Sequence, residues 1–537
     1  MASAGREEHA NGPLAEGGRD ALREMLVIAA PAAASMLSFA LMQFVDRLLC
    51  SRLISPEALM AAGNGGIAAW VPSSVVMGAL GVVNTYVSQN LGAGRAERGP
   101  AYAWAGIWIA MVAWALVLLP FAVAFPWVYD AMRSALGLPG VSEHVRHMEA
   151  MYGRIMLGGT VLTLGARSLG HYFYGMHRPG IVLGSTIGGN AVNLVVSVAL
   201  VLWAMGREDL APEPRATLAL AGAAAGTVVG TLVECAIPLV VFLSPAFNRK
   251  YATRASWRPS SATMRDIWRI GWPGGVMFGN EMVCWWIFMG GFVAAFDRGA
   301  AQAVHGPAGW ITHQYLMLSF MPAVGISIAT TAVVGRCIGA GRHDLAASRT
   351  WLGLRLTLTY MGACALAFII FGPSMAMPFL PEGVSAEQGA RIIELTRWML
   401  VLAATFQLFD GMAITISGAL RGAGDTVWPG VVTIFMSWGL IVGGGWLAVN
   451  FLPGLESYGP WAAASAYIIT LSLLLLWRFL GGKWRSIRVL RDPVAGEGVE
   501  GGHPVLASDP GPGALAMAPG LDIPADPPPL RGVENRA

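Results

Sequence analysis

Four carboxylic acids stand inside long apolar runs of the sequence: Asp46, Glu234, Glu281 and Asp410. A charged side chain at mid-membrane costs roughly 3 kcal/mol on insertion scales, so such acids are expected to face a polar interior and to bind ions or ligands. Two carboxylates in one cavity can exchange a proton for a cation, or can ligate Na⁺ with their oxygens. The alternative for each acid is a structural pairing with a nearby donor, which is the favoured interpretation for Glu234.

Polar residues also mark the first and fifth apolar runs. Gln43 lies about one helical turn before Asp46, so a polar strip is predicted on that helix. Arg47, beside Asp46, either neutralises the acid or extends its guanidinium towards the membrane surface. The fifth run carries polar residues at helical spacings of three and seven, which place them on one face: Asn190, Asn193 and Ser197.

The segments that carry these residues are long enough to cross a bilayer, for which about 20 apolar residues are needed. Only a helix satisfies its own backbone groups within lipid. We therefore predict an all-α membrane protein of about twelve transmembrane helices, at 25–49, 59–87, 101–127, 149–173, 181–205, 217–243, 266–295, 310–337, 350–380, 394–420, 428–452 and 459–480.

Composition supports a membrane protein, because 55% of the 537 residues are hydrophobic and only 12% are charged, against roughly one quarter charged in soluble domains. The polar residues 1–20 do not resemble a cleavable signal peptide. Five cysteines without a Cys-x-x-Cys pair indicate neither disulfides nor a zinc site. A net charge of +3 is too small to suggest nucleic-acid binding.

Basic residues flank alternate loops, which the positive-inside rule assigns to the cytoplasm. Examples are Arg95, Arg249, Arg342 and Lys483. With an even number of spans, both termini are then cytoplasmic, and the predicted location is the inner membrane of a bacterium. The predicted organisation is a polar N-terminus at 1–21, a six-helix lobe at 22–248, a cytoplasmic loop at 249–263, a second lobe at 264–491 and a disordered Pro/Gly-rich tail at 492–537.

An internal repeat relates the two lobes. The segment Val87–Arg95 matches Val334–Arg342 at a separation of 247 residues, and the same separation relates Gly175 to Gly422. Since six spans form each half, both halves enter the membrane from the same side, and they are related by an axis along the membrane normal with a cavity between them. Pro31 and Pro273 interrupt the first and seventh spans at corresponding places, where we predict gating bends.

Several motifs together resemble the multidrug and toxic compound extrusion (MATE) family of cation-coupled exporters, over about residues 22–488. These motifs are Phe44-Val-Asp46 with Pro56–Leu59, Val87-Ser-Gln89 with Gly92–Arg95, and Gly418–Thr426. The resemblance implies a role for Asp46 as the first-span aspartate that takes part in binding the coupling proton or Na⁺ in some members. Asn193 falls on the family's polar fifth-span position, whereas Ser197 stands where many relatives have Asn or Asp.

In the second half, Glu281 lies eight residues after Pro273, and Asp410 lies eleven before Arg421. These spacings resemble those of the seventh-span glutamate and tenth-span aspartate of the bacterial multidrug branch. The resemblance therefore implies cation coupling, of H⁺ or Na⁺, at Asp46, Asn193, Glu281 and Asp410. Residues assigned to the substrate cavity are Gln43, Asn190, Ser197, Trp285 and Gln407.

The predicted function is that of a secondary antiporter, whose expected partners are its small-molecule substrates and the lipid bilayer. A loop of the Gly-x-x-x-x-Gly-Lys-Ser/Thr type is missing, so ATP is not expected to drive transport. The expected protein is a monomer without cofactor or bound nucleic acid, which exports amphipathic, often cationic compounds in exchange for H⁺ or Na⁺. The alternatives are a lipid-linked oligosaccharide flippase of the same superfamily, and a membrane enzyme that uses Glu281 and Asp410 as an acid/base pair.

Overall fold

The computed structural model describes residues 18–135, 142–298, 303–380 and 385–490, and every regular element within them is a helix. The predictions for the polar N-terminus up to residue 17 and for the tail after residue 491 fall outside these ranges. The described chain up to Leu490 belongs to one compact unit. Twelve long helices make up this unit, in agreement with the predicted fold class.

We number the long helices in chain order, and four of those in the described ranges contain a π-helical segment. The N-terminal lobe contains α1 (Gly18–Ile54), α2 (Glu57–Gly92), α3 (Ala96–Ala131), α4 (Glu143–Gly175), α5 (Pro179–Met205) and α6 (Pro212–Leu243). The C-terminal lobe contains α7 (Ser261–Asp297), α8 (His305–Gly339), α9 (His343–Phe379), α10 (Ala386–Ala423), α11 (Val427–Phe451) and α12 (Tyr458–Leu480).

Within the described residues, eleven of these helices are long and apolar enough to cross a membrane. The twelfth, α4, has 33 residues and is therefore about 50 Å long, which exceeds the roughly 30 Å of a hydrocarbon core. It is more polar because it carries charged residues such as Glu149, Arg154 and Arg167. Glu149 is fully buried and accepts a hydrogen bond of 2.8 Å from the Asn64 amide, so part of this polarity is satisfied inside the protein.

Local sequence explains where several helices begin. Ser55, Ser142, Ser260 and Ser385 precede α2, α4, α7 and α10, and each side chain accepts a hydrogen bond from a backbone N–H of the first turn. Such caps satisfy donors that the helix itself leaves unpaired. In contrast, α5 and α6 start with prolines, whose missing N–H costs nothing at that position.

The helix packing repeats between the lobes. In the N-terminal lobe, α1 packs against α5, α2 against α4, α4 against α6, and α5 against α6. The C-terminal lobe has the equivalent contacts of α7 with α11, α8 with α10, α10 with α12, and α11 with α12. Between the lobes, α1 packs against α8 and α2 against α7, which again are equivalent contacts.

Two glycines related by the 247-residue repeat place the symmetry axis. A Cβ atom on Gly92 in α2 would collide with the carbonyl oxygen of Arg336 in α8, and a Cβ atom on Gly339 in α8 would collide with that of Gln89 in α2. The two helices therefore cross in backbone contact, each through the same position of its repeat. This contact lies beside the loops that carry Arg95 and Arg342, and we call that end of the protein the basic end.

Hydrogen bonds join the lobes near the basic end. The Asn84 amide donates to the carbonyl of Ile328 at 3.1 Å, and the Gln89 amide donates to the carbonyl of Gly422 at 2.9 Å. The Thr85 hydroxyl donates to the carbonyl of Arg421 at 2.8 Å. Because these donors are buried between the lobes, the arrangement closes the basic end.

Pro31 and Pro273 lie inside α1 and α7, and both helices continue through them. The Ser35 hydroxyl donates to the carbonyl of Pro31 at 2.9 Å. Pro273 is buried and lies against Gly430 of α11. Their function as gating bends stays a prediction.

Candidate ion and substrate site between the lobes

Asp46 of α1 is half-buried and faces α5 and α6. Its Oδ2 atom accepts hydrogen bonds from the Asn193 amide at 3.3 Å and from the Thr227 hydroxyl at 3.4 Å. The Ser197 hydroxyl donates to Asn193 Oδ1 at 3.2 Å, which directs the amide NH₂ group towards the acid. The structure thus brings together Asp46 and Asn193, and connects Ser197 to them.

Close packing of α5 and α6 positions this cluster. A Cβ atom on Gly226 would lie 2.6 Å from the backbone nitrogen of Ser197, and one on Gly230 would lie 2.6 Å from the Cβ of Asn193. Small residues four apart allow such close approach of membrane helices. Thr227, which follows Gly226, is consequently held against Asp46.

The other predicted residues of this lobe occupy different surroundings. The Asn190 amide donates to both the carbonyl and the hydroxyl oxygen of Ser38, at 3.0 and 2.7 Å, and so connects α5 to α1. The Gln43 side chain is exposed on α1. Neither residue contributes a hydrogen bond to Asp46 in the described structure.

The acids of the C-terminal lobe come from different helices. Glu281 of α7 accepts a hydrogen bond of 2.8 Å from the hydroxyl of Tyr467 in α12. Asp410 of α10 lies close enough to Glu281 and Tyr467 to interact electrostatically with both. The structure therefore brings together the two acids that the sequence analysis paired.

A polar contact next to Glu281 fixes α7 against α11. The Asn280 amide donates to the Ser437 hydroxyl at 2.7 Å, and its Oδ1 accepts from the indole N–H of Trp438 at 2.7 Å. Ser437 begins a π-helical segment of α11, and such segments often occur at functional sites. This contact orients the turn of α7 that presents Glu281.

The remaining predicted cavity residues are Trp285 and Gln407. Trp285 is half-buried and lies edge-on to Phe288, with 5.3 Å between ring centroids. The Gln407 side chain is 1% exposed, and its amide donates to the Ser319 hydroxyl at 2.6 Å. Gln407 thus belongs to the packed interior of the C-terminal lobe in this conformation.

Two other charged residues within the spans have contrasting partners. Glu234 accepts a hydrogen bond of 3.1 Å from Thr186, which agrees with the favoured structural interpretation. Arg47 is half-buried, and none of the described carboxylates lies within 4 Å of its guanidinium. It interacts electrostatically with Tyr152 of α4 and His313 of α8, so it lies between the lobes.

Sequence reasoning missed the hydroxyl groups that hold the acids. Thr227 and Tyr467 each stand within an apolar run, where a single hydroxyl gives little signal. Only their contacts with Asp46 and Glu281 distinguish them.

In the described ranges, no three His, Cys, Asp or Glu residues cluster as a metal site would require, so a coupling Na⁺ would need amide, hydroxyl or backbone oxygens beside the acids.

Comparison with known families shows which family this chain belongs to. The MatE family model matches residues 31–199 and 308–447, which together are more than half of the chain and lie in both lobes. The chain belongs to the MatE family. These are the multidrug and toxic compound extrusion transporters that the sequence motifs resemble, so that prediction is confirmed.

Several named relatives match this chain over most of its length. It is 30% identical to a probable multidrug resistance protein NorM of Deinococcus radiodurans, with 86% of this chain and 95% of that protein aligned. It is 28% identical to the multidrug resistance protein NorM of Burkholderia vietnamiensis, with 84% and 92% aligned. The structure of a multidrug resistance MATE family transporter in an outward-facing conformation superposes with a TM-score of 0.74 at 17% identity, covering 89% of this chain and 98% of that one. The shared fold is thus the two-lobed membrane bundle.

Proposed function

We propose that this MatE-family protein is a secondary antiporter that exports amphipathic organic compounds, often cationic ones, in exchange for H⁺ or Na⁺. The observation that carries the proposal is the pairing of Glu281 and Asp410 beside the Tyr467 hydroxyl, within a transporter fold. The names of the relatives support multidrug efflux as the process.

The chemistry of the acids supports coupling. Two carboxylates in one poorly solvated place repel each other when both are charged, and a proton or a cation relieves this repulsion. Binding of a cationic substrate and binding of the coupling ion then compete for the same negative charge. This competition makes an exchange of one for the other possible.

The energy of one coupled ion is sufficient for useful export. Moving one charge through 100 mV supplies about 2.3 kcal/mol, which corresponds to a concentration ratio of about fiftyfold for a neutral compound. The two lobes would rock about the site between them. The contacts at the basic end represent the state in which that end is closed.

The orientation follows from charge. We propose that the basic end faces the cytoplasm of a bacterium and that both termini lie there, because Arg95 and Arg342 flank its loops. In this proposal, the protein spans the inner membrane of the bacterium.

The experiment that tests the proposal uses purified protein in liposomes. A lipophilic cationic dye should move against an imposed pH or Na⁺ gradient, and the movement should stop when the gradient is dissipated. Dye movement that ignores both gradients would exclude ion-coupled antiport. Absence of any dye movement across a panel, with correctly inserted protein, would exclude drug export.

A further inference from the structure

Three nitrogen-containing side chains lie near one another, next to the hydrogen bonds that close the basic end: Arg167 and His171 of α4, and Arg421 of α10. His171 interacts electrostatically with both arginines. Arg167 lies over the Phe39 ring of α1, with its Cζ atom 5.4 Å from the ring centroid. We call Arg167 and Arg421, together with the adjacent His171, the cation cluster; the two arginines carry its positive charge, and its members come from both lobes.

The Arg421 side chain points away from the closed basic end. Its backbone carbonyl accepts the hydrogen bond of Thr85, whereas its Nη1 atom lies 3.8 Å from the position of a Cβ on Gly81. Because α2 runs towards the basic end, Gly81 is one turn farther from that end than Thr85. The guanidinium is therefore directed from the closed end into the space between the lobes.

The cation cluster lacks a counterion in the described structure. Among residues 18–135, 142–298, 303–380 and 385–490, no carboxylate lies within 4 Å of Arg167 or Arg421. The buried Nδ1 atom of His171 has no hydrogen-bond partner there. A cation removed from bulk water without a partner is costly, so an arrangement of this kind favours an incoming anion.

The internal repeat does not require these residues. The 247-residue separation relates Arg421 to Tyr174, Arg167 to Ile414 and His171 to Gly418. The repeat therefore places no second copy of this cluster at the equivalent positions.

We propose that the cation cluster binds an anionic oxygen group, a carboxylate or a phosphate, carried by the transported compound. The planar fork of a guanidinium matches such groups with two parallel hydrogen bonds. Asp410 stands eleven residues before Arg421 on α10, about 16 Å along the helix. One amphipathic molecule with opposite charges at its two ends can therefore meet acids and cations at once, and zwitterions become the substrate class.

The inference rests on the proposed function, and a binding measurement without a gradient separates the two. The probes are tetramethylrhodamine, a zwitterion with a free carboxylate, and its methyl ester, which is a cation. The full chain in lipid nanodiscs should bind the zwitterion about tenfold more tightly than the ester, measured by fluorescence anisotropy. Arg421→Gln should abolish this preference and leave the affinity for the ester within twofold, whereas Arg421→Lys should retain part of the preference.

Arg397→Gln is the matched control, because Arg397 is an exposed arginine of the same helix, and it should keep the full preference. If Arg421→Gln does not fold, Arg167→Gln provides the same comparison from the other lobe. Inorganic phosphate should compete with the zwitterion but not with the ester.

Equal affinity of the wild type for both dyes overturns the inference, as does equal weakening of both by Arg421→Gln, or binding of neither dye. Phosphate binding without a preference for the zwitterion would assign the cluster to free anions and would overturn it too. Loss of gradient-driven transport with selective binding intact would instead contradict only the antiport proposal.

Discussion

A buried ion-pair cluster between the lobes allows the closure of the basic end to be tested quantitatively. Glu24 of α1 lies 3.3 Å from Arg336 of α8 and 3.5 Å from Arg349 of α9. The side chains of the two arginines are only 7% and 3% exposed, and that of Glu24 is 13% exposed. The perturbation is Glu24→Gln, which keeps the shape and removes the charge that joins the lobes.

Removing one partner of a buried ion pair costs about 3 to 5 kcal/mol, because the remaining charge stays buried. The lower end applies here, since Arg336 and Arg349 make further contacts. The cost falls on the closed state alone, because opening of the basic end would expose the arginines to water. A loss of about 3 kcal/mol shifts the equilibrium towards opening by about two orders of magnitude.

Ser88→Cys provides a reporter at the interface. Ser88 is fully buried, and a Cβ on Gly335 of the opposite lobe would collide with its hydroxyl. Labelling of this cysteine by a maleimide should be about 100-fold faster with Glu24→Gln, when peptides are quantified by mass spectrometry. Cys284 is fully buried within the C-terminal lobe and should stay slow, which distinguishes opening from unfolding.

Asp344→Asn is the matched control. Asp344 also lies 3.3 Å from an arginine, Arg342, but both side chains are exposed, by 68% and 42%, and exposed pairs contribute about 0 to 1 kcal/mol. In this variant, the labelling rate of the cysteine from Ser88→Cys should therefore change by less than about fivefold. Equal rates for the wild type and Glu24→Gln, or equal acceleration by both variants, would refute the reasoning.

Four further predictions address the site, the packing and the ends of the chain. Glu281→Gln and Asp410→Asn should each abolish gradient-driven dye transport in liposomes, and the double variant should be scarcely worse, because residues that act as a unit are non-additive. The control is Glu234→Gln, which should keep transport, since we interpret the contact of Glu234 with Thr186 as structural. Gly226→Ala should destabilise the protein by about 1 to 3 kcal/mol, seen as a lower thermal midpoint, because the new methyl group meets Ser197. Expression in a pump-deficient bacterium should lower accumulation of lipophilic cationic dyes, and unchanged accumulation with confirmed expression would contradict it. Truncation after Arg491 should preserve folding and transport, because the Pro/Gly-rich sequence beyond it has no pattern that could pack.

The sequence predicted the number and the places of the helices well, because each apolar run records the lipid that surrounds it. The ends were less predictable. The first span was predicted at 25–49, whereas α1 extends over Gly18–Ile54, since hydropathy marks the part in lipid and not the turns that continue into water. The same reason explains α4, predicted at 149–173 and observed at Glu143–Gly175.

The candidate site was predictable only where a residue type was costly in its surroundings. Asp46, Glu281 and Asp410 could be selected because an acid within a membrane span needs an explanation. Thr227 and Tyr467 could not, because a hydroxyl is tolerated almost anywhere in a helix that can accept its hydrogen bond. Which hydroxyl meets which acid depends on helix packing, and that is set by positions such as Gly226 that carry no chemistry themselves.

The repeat governs the backbone, and the charged side chains depart from it. Gly92 and Gly339 make equivalent contacts across the interface between the lobes, so the repeat is preserved in the backbone there. None of the acids is repeated: the 247-residue separation relates Asp410 to Thr163, and the 242-residue separation of Pro31 and Pro273 relates Glu281 to Phe39. Under the proposed antiport, two unlike solutes bind in one space, and a symmetric frame with Asp46 in the N-terminal lobe and the pair of Glu281 and Asp410 in the C-terminal lobe would provide unlike places for them. Transferring the acid pair to the equivalent N-terminal positions should therefore preserve the fold and still fail to restore exchange in a chain that lacks Glu281 and Asp410.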